Sequence, residues 1–546
     1  MAISTTTPFS RSELNEPLTF AHTLRRGAAQ NPDATVMKCD DDSRTWGELL
    51  ERSTRVAQGL LGLGAGRGDR VAFLGRNCLE YFEILYGSSL IAAVPIGVNW
   101  RLSPHEIRAV LRDAMPSVIF VAAEFLAVLA EPAAGGDAVS AAVVVIGVDE
   151  ATGTSAVAYE PWLEDHAPRS PEFAMEPDEL AMLTYTSGTT GQAKGVMHTV
   201  SAVAASFALS DLLEIEQDTI ALIATPVFHA TAAAAAAMVL SAGGLCVIAR
   251  DADPDHLLSL IEREQVTLTI VVPTILQMLL EANAFGSHDL STLRTIIYTA
   301  SPISPELLTA ARHRLPHVRF IQVYGSTETL GVTVLRPEEH AEHADSAGRP
   351  MPGVRVRLAD PATGEQTADG ADGAGEVLVK APTNMIGYWG RPEETARVLA
   401  EDGYIRTGDI ATVNRGYLAL RDRAKDMIIS GGENIYPHEI EEVLIRHPSI
   451  AEVAVIGVPS ARWGETVMAV VVAASSSDGS ADGSSDGSPH GLSETDVIEF
   501  ARVRLAGYKR PTVVEFVDAL PRNASGKVLK TALRERFSGA ARSELA

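Results

Sequence analysis

The stretch YTSGTTGQAKG, Tyr185 to Gly195, gathers glycines, side-chain hydroxyls and one ammonium group in a short span. Small residues leave backbone N–H groups free to converge, hydroxyls add donors, and a lysine adds a point charge; this combination suits a polyphosphate. A Walker-type loop needs Gly-Lys followed by Ser or Thr, whereas Lys194 stands between Ala193 and Gly195. That alternative fails. Upstream, Leu180 to Thr186 has the length and apolar content of a buried strand, and the residues from Val196 to Ser210 read as a helix. The loop is thereby expected to join a strand to a helix, a place where anions are readily held. A plain surface turn competes on composition alone, but Lys194 and the flanking elements weigh against it.

The elements that position such a loop follow from the rest of the chain. At 546 residues it exceeds one hydrophobic core, and several domains are expected. Strand-length apolar runs (RVAFLG, AVPIGV, LTIVVP, TIIYTA) alternate with amphipathic segments such as CLEYFEILYGSSLIA, the pattern of an α/β fold with largely parallel sheets. From about Ala347 to Val379 the texture changes to short strands with Gly and Pro turns, a small β-rich module. After Asp426 a further unit begins. There, YPHEIEEVLIRHPSI reads as a helix with Ile440, Val443 and Leu444 on one face, followed by the alternating strand AEVAVIGV. Ser475 to Gly491 is too rich in Ser, Gly and Asp to pack, and reads as a disordered loop.

Charge and cysteine content narrow the function. The formal net charge of −25 argues against a general nucleic-acid or anionic-membrane partner, so any anionic ligand must be met by locally placed cations. Cys39, Cys78 and Cys246 are scattered, give no disulfide or metal framework, suit a reducing cytoplasm, and read as small buried apolar residues. The N-terminal MAISTTTPFSRSELNEP lacks a secretion signal and reads as a loose arm. Ala230 to Ala249 carries no charge, but its alanines, Gly243-Gly244 and the strand-like GLCVIA read as a buried helix, turn and strand rather than a membrane span.

Beyond the glycine-rich loop, four further stretches occur in order: VYGSTE (Val323 to Glu328), GYIRTGD (Gly403 to Asp409), DRAKDMIISGGENIYPHEIE (Asp422 to Glu441) and PRNASGK (Pro521 to Lys527). Together they resemble the signatures of the adenylate-forming superfamily, which holds acyl-CoA synthetases, firefly luciferases and peptide-synthetase adenylation domains. The resemblance runs from about Arg44 to the C-terminus, nearly the whole chain. It implies an α/β multidomain fold: a large N-terminal domain (1–424) of two α/β subdomains plus a small β-barrel-like module. A small mobile α+β C-terminal domain (425–546) follows, hinged at Lys425, with the loop 475–491 inside it.

The implied chemistry is ATP-dependent activation of a carboxylate, which attacks the α-phosphate to give an acyl-adenylate and pyrophosphate. Such a step needs charge neutralisation and positioning more than a covalent nucleophile. By resemblance, Thr186, Ser187, Gly188, Thr189, Thr190, Gly191 and Lys194 grip the phosphates, and Glu328 holds Mg2+, a hard cation suited to carboxylate oxygen. Ala300, Ser301, Gly325 and Thr327 line the nucleotide, Tyr324 faces adenine, Gln322 meets its exocyclic edge, and Asp409 and Arg423 meet the ribose. Gly431, Gly432 and Trp463 would flank coenzyme A, whose thiolate converts the adenylate to a thioester.

His229 matches the family's aromatic gate beside the acid, and Ala230 stands where amino-acid-activating relatives have an aspartate, which argues for an acid without an α-amino group. If helical, Ala232 to Ala237 would line a roomy apolar pocket, although alanine helices more often mark close packing. Thr299 in YTASPIS departs from the usual glycine. The resemblance thus points to a hydrophobic acid, a fatty acid before an aryl acid. An amide-forming or in-trans carrier-loading enzyme and a non-enzymatic ATP-binding scaffold remain as alternatives, and a homodimer is compatible.

Lys527, in NASGK, matches the family's mobile catalytic lysine. Lys527→Ala is expected to slow pyrophosphate release by ~10²–10³-fold, roughly 3–4 kcal/mol, while a preformed acyl-adenylate is still converted. Equal loss in both half-reactions would refute the assignment.

Overall fold

The computed structural model describes residues 3–4, 19–130, 141–149, 156–171, 173–186, 193–301, 303–361, 363–367, 370–430, 433–460, 463–474, 492–522 and 528–537. The loop 475–491 singled out above lies outside them. Packing divides the chain into two compact units, one of residues 2–357 with 378–406, the other of 358–377 with 407–546. These units follow packing, whereas the boundary expected at 424–425 concerns motion. The fold is mixed α/β, as expected.

Two largely parallel sheets organise the first unit. One runs in the order Val94–Val98, Arg70–Leu74, Val118–Ala122, Ala142–Ile146, Val157–Ala158, every neighbour parallel. The other has a parallel centre of Leu245–Ile248, Ile220–Ile223, Leu268–Val271, Thr295–Thr299 and Arg319–Ser326, with Leu330–Leu335 antiparallel beyond it. The apolar runs of these strands are nearly continuous because helices cover both faces. The uncharged stretch at 230–249 is the expected helix (Ala230–Ala242), left-handed Gly243 and strand (Leu245–Ile248). Of the N-terminal arm read as loose, Ile3–Ser4 instead pairs with Arg355 and Val356. Cys39, Cys78 and Cys246 are buried, and burial pushes the Cys39 thiol up to about 12. Among the described residues no helix is long and apolar enough to cross a membrane.

A third, smaller sheet overturns one expectation. Lys194–Thr199 is a strand, antiparallel to Leu180–Thr186, with Gly387–Tyr388 on its other side. The helix Val200–Phe207 begins only after Thr199, whose hydroxyl accepts from the Ala202 N–H. Cross-strand pairing with a preformed neighbour outweighs the helical spacing of the apolar residues. The glycine-rich loop therefore joins two strands, and the helix N-terminus lies a strand's length beyond Lys194.

The second unit contains the antiparallel pair Ile450–Ser460 and Gly464–Ala473, with Val513–Phe516 parallel to the latter. Alternate residues serve two cores. Val455, Val467, Ala469 and Val471 pack with Ile440, Leu444 and Val497, whereas Ala454, Ile456, Met468 and Val470 pack with Leu533 and Phe537. The period-two alternation of a strand places them on opposite faces.

Two buried polar groups of the first unit differ in their solution. Glu83, fully buried, accepts from Arg44 Nε at 2.8 Å, Arg52 Nε at 2.7 Å and the Tyr159 hydroxyl at 2.7 Å. His198, on the strand Lys194–Thr199, is 0 % exposed, and neither ring nitrogen has a hydrogen-bond partner in the protein. Burial pushes its imidazole down to about 4 from 6.5, so the folded state binds fewer protons than the unfolded state between those values. Stability contributed by neutral His198 is full above pH 6.5 and is lost as pH falls toward 4. Urea unfolding at pH 7.5 and pH 5 should show wild type losing about 2 kcal/mol more than His198→Leu between the two; equal losses would remove His198 as the cause.

Candidate active site

The antiparallel hairpin fixes the ends of the glycine-rich loop. Thr186 lies directly opposite Lys194, and Tyr185 opposite Gly195. A segment far away in sequence clamps this mouth. The Trp389 N–H donates to Gly195 O at 2.8 Å, the Arg391 guanidinium donates to Ala193 O at 3.2 Å, and the Tyr185 hydroxyl and Arg391 both reach Asp113. Ser187, Gly188, Thr189, Thr190 and Gly191 lie outside the described residues.

Lys194 Nζ pairs with Glu394 and lies 5.1 Å from the centroid of the Tyr388 ring. The hydroxyl of Tyr388 donates to Glu328 Oε1 at 2.9 Å. Burial, then the Glu328 carboxylate, push the Tyr388 phenol up, so it stays protonated and donating. Lys194 first, then Arg391, hold Glu394 below the usual carboxylate range. One tyrosine thus connects Lys194 and Glu328.

Glu328 is carried by the turn at 327–329, whose Ser326 N–H donates to Thr329 Oγ1 at 3.2 Å. Gly325 precedes it of necessity: a Cβ there would lie 1.7 Å from the Leu330 carbonyl oxygen. Gln322 and Tyr324 are two residues apart on Arg319–Ser326 and share one face. Ala300 and Ser301 are exposed at the carboxyl end of Thr295–Thr299, where ligands of open α/β sheets settle. Ala300 has φ 72°, a left-handed conformation costing roughly 1–2 kcal/mol for a residue with a Cβ. Thr299, which stands where glycine is usual, is the last residue of the strand, and the positive φ falls at the next residue.

On the acid side, His229 precedes the helix Ala230–Ala242, its ring centroid 4.5 Å from that of Phe228. Burial, then the Arg101 guanidinium, push its imidazole down to about 4, so it is uncharged near neutral pH. A narrow cavity of about 10 Å³, room for one water, opens between His229, Phe228, Ala230, Ala233, Tyr81, Leu85, Met182 and Thr184. The roomy alanine pocket is corrected: Ala230 and Ala233 line this cavity, while Ala232, Ala235, Ala236 and Ala237 are buried by close packing. Gly97 permits the approach of the wall, since a Cβ there would lie 2.6 Å from Phe228 Cα.

In the second unit Asp409 faces Arg423 across an antiparallel pair, Arg423 Nε donating to Asp409 Oδ1 at 2.7 Å. The two residues expected to meet a ribose therefore neutralise each other. Lys425 lies in the turn at 424–426, and adjacent Asp426 pairs with Arg534 at 3.0 Å. Trp463 is 46 % exposed at the turn between Ile450–Ser460 and Gly464–Ala473. Gly431, Gly432 and Lys527 lie outside the described residues; Arg522 and Val528, on either side of Lys527, form an isolated bridge.

Sequence reasoning missed Tyr388, Glu394, Arg391, Asp113 and Gly97. Tyr388, Arg391 and Glu394 fall in one short stretch, YWGRPEE, but it meets Lys194, Ala193, Glu328 and Asp113 only across long separations in sequence.

Comparison with known proteins identifies the family. The family model described as "AMP-binding enzyme" matches residues 24–389, and the "AMP-binding enzyme C-terminal domain" matches 439–527. A feruloyl-CoA synthase of Amycolatopsis sp is 39% identical, covering 94% of this chain and 98% of the relative. A fatty acid–[acyl-carrier-protein] ligase of Streptomyces coeruleorubidus is 37% identical, covering 95% and 97%. Among solved structures, ATP-bound MatB from Rhodopseudomonas palustris is 29% identical, with a TM-score of 0.83 over 96% of this chain and 100% of the other.

Proposed function

The chain belongs to the family of AMP-binding enzymes in the adenylate-forming superfamily, as an AMP-forming acid–thiol ligase, and from that premise we propose that it activates a hydrophobic carboxylic acid and transfers the acyl group to coenzyme A. The observation that carries the reading is the run Glu394–Lys194–Tyr388–Glu328 beside the glycine-rich loop. It links one ammonium group to two carboxylates, Glu394 directly and Glu328 through Tyr388.

In this reading ATP enters with its phosphates on the loop 186–194. Lys194 exchanges Glu394 for phosphate oxygen, and a side-chain ion pair of this kind is worth little enough to be exchanged. Glu328 is aimed by the Tyr388 hydroxyl and keeps oxygen lone pairs for a hard cation, so the residues present fit Mg2+. The bound cation supplies neutralisation of phosphate charge. His229, uncharged, stands beside the acid and donates or accepts a hydrogen bond without adding positive charge. Asp409 and Arg423 for the ribose, Lys527 for the developing charge, Gly431, Gly432 and Trp463 for coenzyme A, and Lys425 as hinge belong to the same proposal.

Most side chains around the cavity at His229 are apolar, with Tyr81 and Thr184 among them, which suits a hydrophobic acid. A fatty acid of medium or long chain is our first choice. An aryl acid is the second, supported by the rings of Tyr81 and Phe228 in that lining and by the feruloyl-CoA synthase relative. The acyl-carrier-protein ligase relative keeps a carrier thiol in view as acceptor.

AMP release should be measured over fatty, aryl and cyclic acids, with coenzyme A, a carrier protein, or neither. Fatty acids with coenzyme A are expected to give the highest kcat/KM; turnover confined to aryl acids, or to the carrier, would displace that choice. Tyr388→Phe removes the donor that aims Glu328 and should raise the Mg2+ concentration for half-maximal adenylation about tenfold. An unchanged Mg2+ dependence would separate Glu328 from the metal.

A further inference from the structure

Tyr298 and Gln322 are side by side in the register of two parallel strands, Thr295–Thr299 and Arg319–Ser326. Tyr298 is fully buried, and its hydroxyl lies 2.9 Å from His340 Nε2 and 3.2 Å from the terminal amide of Gln322. His340, 2 % exposed, starts the helix His340–His343, and its Nδ1 lies 2.7 Å from the Arg336 carbonyl oxygen.

The protons of this chain can be placed one by one. A carbonyl oxygen only accepts, so Nδ1 of His340 carries a proton and donates to Arg336 O. Burial holds His340 below the ordinary imidazole range, with the Arg312 guanidinium adding to it against the Arg336 hydrogen bond. The ring is neutral, and Nε2 is bare. The Tyr298 hydroxyl, kept protonated because burial pushes its phenol up, must donate its single proton to Nε2. Its oxygen can then only accept from Gln322, so the amide atom facing it is Nε2, opposite to the orientation placing Oε1 there. Terminal amide orientations are settled by such networks.

We propose that Tyr298 and His340 are positioning residues that lock the Gln322 amide with its oxygen turned toward the nucleotide base, and so make the site selective for a purine bearing an amino donor at C6. This rests on the reading that Gln322 meets the exocyclic edge of adenine. Adenine offers an N–H donor at that position, whereas hypoxanthine and guanine offer an acceptor oxygen. A locked carbonyl accepts from the first and repels the others. An amide free to turn would serve both.

The test titrates the full chain with ATP and with ITP, each with Mg2+, and compares dissociation constants. Wild type should favour ATP by at least about tenfold, one well-placed hydrogen bond against an unpaired acceptor. Tyr298→Phe should cut that preference about tenfold, with ITP binding tightening, and His340→Phe should act in the same direction. A purely structural role would weaken both nucleotides alike; an unchanged ATP-to-ITP ratio in Tyr298→Phe overturns the proposal. Gln322→Ala separates the two layers. If it leaves the ratio at the wild-type value, the reading of Gln322 as partner of the base fails and the proposal with it. If it abolishes the ratio while Tyr298→Phe preserves it, Gln322 stands and the lock alone fails.

Discussion

The pairing of Thr186 with Lys194 across an antiparallel hairpin is the constraint from which the candidate site is built. It brings the two ends of the glycine-rich loop to one rung of a ladder and turns Lys194 toward Glu394 and Tyr388. Gly387–Tyr388 is itself the next strand of that sheet, and its pairing with Val196 and Met197 delivers the Tyr388 hydroxyl to Glu328. Gly195 is needed for this closeness, since a Cβ there would lie 2.8 Å from the Leu183 side chain and 3.2 Å from Trp389. Loss of the hairpin would separate the cation from the carboxylate.

A chain of net charge −25 that binds a polyanion must hold its cations where they are needed. Lys194 and Arg391 are held by Glu394, and Arg391 also by Asp113. These carboxylates keep the guanidinium and ammonium at the loop mouth without large cost, because partly exposed pairs are weak.

Three histidines illustrate how placement decides role. His198, His229 and His340 are all shifted down by burial. His198 has no protein partner, and its effect is on stability. His340 has two and transmits a proton order from Arg336 to Gln322. His229 stands at a cavity wall, where an uncharged ring can meet a carboxylic acid without fixing it as an ion pair.

The sequence by itself determined the alternation of strands and helices, the buried status of 230–249, and the five short motifs that name the chemistry, because each is written in contiguous residues. Hydrophobic runs and glycine-rich turns act locally, and a local pattern can be read. It misread Val196 to Thr199 as helix because helical spacing and a paired strand both satisfy the same apolar residues, and only the neighbour Leu180–Thr186 decides between them. It also could not find Tyr388, Glu394, Asp113 or the Tyr298–His340 pair. These residues gain their roles from partners 24 to 278 positions away, and such closeness is created by sheet register and helix packing rather than by sequence spacing. The tertiary structure decided how Glu328 is aimed and how wide the cavity at His229 is, since each depends on atoms brought together only by the folded chain.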